Sequence, residues 1–83
     1  MPTDRQLKAI SAQVAKTLRQ ERLRRKLSLA AVAAKAGVSY QMVGYVEQEK
    51  RNPTLDTLLR ICSALDLDLA TIIRRASRQV ASK

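Results

Sequence analysis

A repeated helix-start pattern constrains the fold of this chain more than any other feature of its sequence. In the pattern, an apolar residue precedes a Ser or Asp, and a second apolar residue follows the polar one four positions later. The polar side chain can accept a hydrogen bond from an unpaired N–H of the first turn, while the two apolar side chains close as a hydrophobic staple. The pattern occurs at Leu27-Ser28-Val32, Val38-Ser39-Val43 and Leu67-Asp68-Ile72. Three such starts close together predict short helices joined by tight turns.

The spacing of apolar residues and a further capping residue predict a helix at the start of the chain. Apolar residues recur at helical spacing from Leu7 to Leu18, after Thr3 or Asp4, either of which can cap a first helix. The predicted helices cover residues 4–26, 29–36, 40–48, 55–66 and 69–80. The chain has only two glycines and two prolines, fewer than the turns of a multi-stranded sheet require. We therefore expect an all-α, compact five-helix bundle that forms a single domain of residues 1–83.

The charge of the chain indicates the class of its partner. Sixteen Lys and Arg against seven Asp and Glu give a formal net charge of +9. Such an excess on a folded domain favours a polyanionic partner, which can be nucleic acid, an anionic membrane surface or an acidic protein. No apolar run approaches the roughly 18 residues that a membrane span needs, and the N-terminus lacks the apolar segment of a signal peptide. We expect a cytoplasmic protein with no membrane partner.

Residues that commonly carry catalysis or bind metals are scarce. The chain has no histidine and one cysteine, Cys62, whose apolar neighbours predict a small buried thiol. It has no glycine-rich phosphate loop, and helix capping explains the acidic pair Asp66 and Asp68. The sequence therefore predicts neither an enzyme nor a metal site, a cofactor or a small-molecule ligand.

Residues 28–48 fit the physical requirements of a helix-turn-helix motif. Two helices that cross steeply need a small residue where they approach, which Ala33 supplies, and a turn residue that tolerates positive φ, which Gly37 supplies. The second helix must attach to the first through one apolar side. The residues expected on that side are Val38, Val43 and Val46, opposite Val32 and Ala36.

Turning Val43 and Val46 inward leaves the opposite side of the second helix open. The residues expected there are Tyr40, Gln41, Gly44, Tyr45 and Gln48. This side is polar and aromatic and carries no acid, as a surface that enters a groove between phosphates requires. The two tyrosines either contact a partner or cover neighbouring apolar surface. Gly44 either lets the backbone approach a base or packs tightly against a neighbouring helix, a choice that the sequence leaves open.

The segment SLAAVAAKAGVSYQMVGYVEQEKRNPTLDTLLRICSAL resembles the Xre family of Cro- and phage-repressor-type helix-turn-helix regulators. With its flanks, the resemblance covers about residues 14–73. It implies a lambda-repressor-like DNA-binding domain from a prokaryote or phage. It also implies a transcriptional regulator that binds double-stranded DNA as a homodimer on a palindromic operator.

The resemblance also implies roles for individual residues. Arg22 and Glu47 match a structural ion pair between the first helix and the end of the recognition helix. The positions that match base contacts are Tyr40, Gln41, Gly44 and Tyr45. The positions expected to contact the DNA backbone are Ser28, Ser39, Met42, Lys50, Arg51 and Asn52. Gln41 is the strongest candidate for direct readout, because its amide can pair bidentately with adenine N6 and N7.

Four positions depart from the family pattern. Leu29 stands where the family often has a glutamine that contacts phosphate and braces the recognition helix. Lys26 and Glu49 replace glycines that commonly follow helices one and three, and Glu21 occupies a usually apolar position. These departures leave the fold in place, but they predict an unusual affinity and choice of site.

The last predicted helix offers more apolar surface than a small core needs, and we expect it to form the dimer interface. The residues expected there are Leu69, Ile72, Ile73, Ala76 and Val80, whose other possible role is to close the core against helix one. An alternative function on the same fold is an antitoxin or accessory protein whose main partner is another protein. Residues 3–13 and the basic C-terminal end could then form its surfaces.

Overall fold

Five α-helices account for most of the computed structural model, which describes residues 2–81. They are α1 (Asp4–Arg24), α2 (Leu29–Ala36), α3 (Tyr40–Glu47), α4 (Leu55–Ala64) and α5 (Leu69–Ala81). The described residues contain no strand, so the predicted all-α five-helix fold is confirmed. The predicted domain of 1–83 also includes Met1, Ser82 and Lys83, which lie outside the described residues.

Polar caps begin four of the helices. At each, a Ser or Thr side chain accepts a hydrogen bond from the N–H three residues later, which satisfies one unpaired donor of the first turn. The capping residues are Thr3, Ser28, Ser39 and Thr54, at donor–acceptor distances of 3.0–3.2 Å. Ser28 and Ser39 are thus confirmed as caps, and Thr3 rather than Asp4 caps α1.

Left-handed residues end the first four helices. Gly37 follows α2 with φ 72°, so the predicted positive φ at this glycine is confirmed. Positive φ also occurs at three residues that are not glycine, at 55–59°: Lys26 after α1, Glu49 after α3 and Asp66 after α4. Each turn closes with a bond that spans five residues, such as Leu27 N–H to Arg22 O at 3.1 Å. Because these turns begin earlier than the apolar pattern suggests, α1 and α4 are two residues shorter than predicted and α3 one residue shorter.

The core is aliphatic and takes residues from all five helices, with α1 packed on α3 and α5, and α2 packed on α3 and α4. Its most deeply buried side chains are Leu18, Val32, Val43, Ile61, Cys62 and Leu65. Burial also raises the pKa of the Cys62 thiol to about 11, so the thiol stays protonated at neutral pH. The predicted buried role of Cys62 is confirmed.

The predicted dimer interface on α5 is wrong for three of its five residues. Leu69, Ile72 and Ala76 are buried in the core of the single chain, where α5 packs on α1. Their apolar character serves the fold because a chain without phenylalanine or tryptophan needs the aliphatic residues of its last helix to fill its centre. Val80 is half-buried, and Ile73 alone of the five is exposed.

None of the helices within residues 2–81 has the length and apolar character to cross a membrane.

The left-handed turn after α1 gives a prediction about stability. Lys26→Gly should raise the free energy of unfolding by about 1 kcal/mol, because a side chain at positive φ costs roughly 1–2 kcal/mol that glycine avoids. Lys16→Gly is the matched control, since Lys16 is an exposed lysine inside α1, and it should lower stability by a similar amount. Urea denaturation of both variants checks this. Equal destabilisation by the two substitutions would contradict it.

Candidate nucleic-acid interface

The third helix divides into an anchored side and an open side. Val43 and Val46 are buried in the core, at 1% and 4% exposure. Tyr40 is 57% exposed, Gln41 and the adjacent Gln48 are also exposed, and Tyr45 is half-buried. The predicted orientation of α3 is therefore confirmed at Val43, Val46, Tyr40 and Gln41.

An ion pair joins the end of α3 to α1. Arg22 Nε donates to Glu47 Oε2 at 2.7 Å and Nη2 donates to Oε1 at 3.0 Å, a bidentate arrangement that fixes both side chains. Arg22 Nη1 also donates to the carbonyl of Leu27 at 2.9 Å. The pair that the family resemblance implies is thus present, and its side chains are only 12% and 7% exposed. The hydrogen bonds to Glu47 raise the pKa of Arg22 above its ordinary value.

Gly44 does not lie on the open side, which corrects its predicted placement there and favours packing, the alternative that the sequence left open, over a base contact. It is buried, and a Cβ at this position would lie 3.6 Å from Leu29 Cδ1 of α2. Because Gly44 has no side chain of its own, Leu29 covers the helix there. This contact also accounts for the departure at Leu29, where an aliphatic residue braces α3 by packing.

The first turns of α2 and α3 both carry serine caps. Ser28 Oγ accepts from Ala31 N–H at 3.0 Å, and Ser39 Oγ accepts from Met42 N–H at 3.1 Å. Each hydroxyl keeps its own proton for donation to another acceptor. The partial positive charge of a helix N-terminus favours anions at such a position.

The structure gives Met42 a packing role, which argues against its predicted contact with the DNA backbone. Its side chain packs against the core, and its N–H donates to Ser39. Met42 therefore has no donor left to offer a phosphate.

The loop after α3 presents the three polar residues that the sequence singled out. Lys50, Arg51 and Asn52 are all exposed. Lys50 N–H donates to Tyr45 O at 2.9 Å, and the guanidinium carbon of Arg51 lies 5.2 Å from the centroid of the Tyr45 ring. Sequence reasoning missed this ring contact because it joins a helix to the loop beyond its end, where helical periodicity gives no guidance.

Carboxylates pair with several arginines of α1 and α4. Glu21 accepts hydrogen bonds from Arg24 and Arg25 at 2.8–2.9 Å, and these bonds lower the pKa of its carboxyl to about 2. This pairing explains why Glu21 stands at a position that is usually apolar in the family. On α4, Asp56 Oδ2 accepts a hydrogen bond from Arg60 Nε at 2.8 Å. Glu49 is the one acid that lies exposed in the loop beside Lys50 and Arg51.

The sequence matches the helix-turn-helix protein family over residues 18–72. It is 39% identical over 57 residues to the HTH-type transcriptional regulator SutR of Escherichia coli (strain K12). The aligned region makes up 69% of this chain but 32% of SutR, so the chain spans about a third of the length of that relative.

Two solved structures share the fold. The wild-type restriction-modification controller protein C.Esp1396I has a TM-score of 0.75 and 16% identity, over 89% of this chain and 96% of that one. A variant of C.Esp1396I bound to its highest-affinity operator site has the same TM-score and identity, over 88% and 96%. At this identity the likeness shows the fold alone. Together with the sequence match, it establishes that the chain belongs to the helix-turn-helix family, in the Xre group of Cro- and repressor-type proteins.

Proposed function

We propose that this chain is a sequence-specific transcriptional regulator that binds double-stranded DNA as a dimer on a palindromic operator. The presentation of α3 is the observation that carries the proposal. Its apolar side is locked in the core, its open side bears Tyr40 and Gln41, and anion-binding groups flank both of its ends. A helix presented in this way fits the major groove of B-DNA.

Gln41 and Tyr40 are the proposed readers of the base sequence. Gln41 lies in the first turn of α3, the part of a recognition helix that approaches base edges. Its exposed amide can donate to adenine N7 and accept from adenine N6. The phenol of Tyr40 offers a ring for apolar contact and a hydroxyl for a hydrogen bond. Gly44 is excluded from this set because Leu29 covers it.

The proposed contacts to the DNA backbone lie on either side of the reading helix. Ser28 and Ser39 offer a hydroxyl and a helix N-terminus each, and Lys50, Arg51 and Asn52 offer side-chain donors beyond its end. With a net charge of +9, most of the affinity should come from phosphate contacts. Binding should therefore weaken steeply as the salt concentration rises.

The named relatives support this function. SutR is a transcriptional regulator, and a C.Esp1396I variant has been seen on an operator site. A regulator of this kind acts where the DNA is, and we place the chain in the cytoplasm.

Because most of the apolar residues first expected at the dimer interface are buried, we propose instead that the dimer forms through exposed apolar residues of α4 and α5. Leu55 and Leu59 lie one turn apart on α4 and are among the most exposed large apolar side chains of residues 2–81. Ile73 is exposed on α5, one turn beyond Leu69. Leu59 and Leu69 line one shallow groove, which connects the two helices. On a palindromic operator, a twofold dimer has to set its two α3 helices on half-sites about 34 Å apart.

Readout by Gln41 can be tested with random-sequence duplexes. Selection followed by sequencing should yield a palindromic site, and Gln41→Ala should change the preferred base at one position of each half-site. At the original site the substitution should cost about 1–3 kcal/mol of binding free energy. Gln79→Ala is the control, because Gln79 is an exposed glutamine on α5. An unchanged preferred site for Gln41→Ala would refute the assignment.

Gly44→Ala should separate packing from base contact. Because the added Cβ meets Leu29 at an ordinary van der Waals distance, the variant should be more stable by about 1 kcal/mol, the gain in helix propensity. Its affinity for the selected site should equal that of the wild type. Thermal unfolding and fluorescence anisotropy measure the two quantities. A large loss of affinity with intact folding would return Gly44 to the set of base contacts.

Leu59→Glu should convert the dimer to a monomer, since it places a charge in the apolar surface of α4. Leu7→Glu is the matched control, because Leu7 on α1 is exposed to the same extent, 49%. Sedimentation equilibrium should show a dimer for the wild type and for Leu7→Glu, and a monomer for Leu59→Glu. A wild type that remains monomeric on its operator would contradict the dimer and favour the alternative of a different protein partner.

A further inference from the structure

The Tyr45–Arg51 pair carries an inference that deepens the proposed function and rests on it. The guanidinium of Arg51 lies over the ring of Tyr45, 5.2 Å from its centroid. This distance is within the roughly 6 Å at which a cation is attracted to the face of an aromatic ring. Tyr45 belongs to the last turns of α3, and Arg51 belongs to the loop beyond it. The contact therefore joins the reading helix to the loop.

A second contact joins the same two segments. The carbonyl of Tyr45 accepts a hydrogen bond from the N–H of Lys50 at 2.9 Å, and Glu49 N–H donates to Val46 O in the same turn. The loop is thus attached to Tyr45 by its backbone immediately before Arg51 and by the side chain of Arg51 itself. Two attachments to one residue restrict where the guanidinium can lie relative to α3.

The ring differs from the partners of four other arginines. Arg22, Arg24, Arg25 and Arg60 each pair with a carboxylate, which offsets their charge. Within residues 2–81, no carboxylate pairs with Arg51. A ring face holds the guanidinium without offsetting its charge and leaves the N–H groups at its edge free to donate to an oxyanion.

We infer that Tyr45 is a positioning residue, whose ring holds Arg51 in place for a phosphate of the DNA backbone. On this assignment Tyr45 does not read a base, although its position on α3 suggested that role. Sequence readout then rests on Tyr40 and Gln41 in the first turn of α3. The last turns of α3 set the position of a phosphate contact.

Two substitutions of Tyr45 test this assignment. Tyr45→Phe keeps the ring and removes the hydroxyl, so its affinity, site preference and salt dependence should match the wild type. Tyr45→Leu keeps an apolar side chain and removes the ring. It should weaken binding by about two- to fivefold, as for an exposed cation–π contact. The loss should be equal on all duplexes, and the slope of log affinity against log salt should become shallower by up to about 0.9.

A double-mutant cycle completes the test. Because both substitutions act on the same phosphate contact, Tyr45→Leu should add little to the loss caused by Arg51→Ala. Tyr40→Leu serves as the control, since Tyr40 is an exposed tyrosine of the same helix without this contact, and its effect should add to that of Arg51→Ala. Circular dichroism shows whether each variant is folded. A ring-current shift of the Arg51 side-chain protons, kept in Tyr45→Phe and lost in Tyr45→Leu, reports the contact without DNA.

Failure of the positioning role and failure of the proposed function would give different results. Additive effects of Tyr45→Leu and Arg51→Ala, or full affinity in Tyr45→Leu, would overturn the positioning role and leave the proposed function standing. A change of preferred base in Tyr45→Phe would show that the hydroxyl reads sequence. A wild-type protein that binds no duplex at any salt concentration would refute the proposed function and the positioning role together.

Discussion

The bidentate pair of Arg22 and Glu47 is the contact on which the presentation of α3 depends. It joins the end of the first helix to the end of the third, and Arg22 Nη1 also donates to the Leu27 carbonyl in the turn that leads to α2. A nearly buried pair adds little net stability, because desolvation offsets the attraction between the charges, but loss of one partner typically costs about 3–5 kcal/mol. We interpret the pair as a contact that fixes one orientation of α3.

That orientation assigns a separate task to each side of α3. Val43 and Val46 hold the helix in the core, and Leu29 covers it at Gly44, so three aliphatic contacts prevent rotation about its axis. The polar side that remains is short. On the proposed function, selectivity comes from the first turn, while the loop beyond Tyr45 supplies charge. Carboxylates offset the charge of other arginines, and within residues 2–81 none pairs with Arg51 in that loop.

The sequence predicted what depends on local chemistry and periodicity. The serine caps, the left-handed Gly37 and the inward Val43 and Val46 follow from rules that act within a few residues. The misplacement of Gly44 and of the apolar residues of α5 involves contacts between distant segments. Helical periodicity predicts which side of α3 carries Gly44, but it cannot show that Leu29 of α2 packs over that position. A surplus of aliphatic residues on α5 does not reveal whether they pack on α1 or on another molecule. The stacking of Arg51 on Tyr45 crosses a helix end, where neither periodicity nor turn rules apply.

Amide chemical-shift mapping tests the central claim, that α3 and its flanking groups form the DNA surface. The isotope-labelled protein would be titrated with the selected duplex and with an unrelated duplex of equal length. The largest changes should occur in the first turns of α2 and α3 and at residues 50–52. The amides at residues 40–41 should distinguish the two duplexes. Changes concentrated on the exposed side of α4 and α5, with α3 unaffected, would contradict this assignment of the DNA surface.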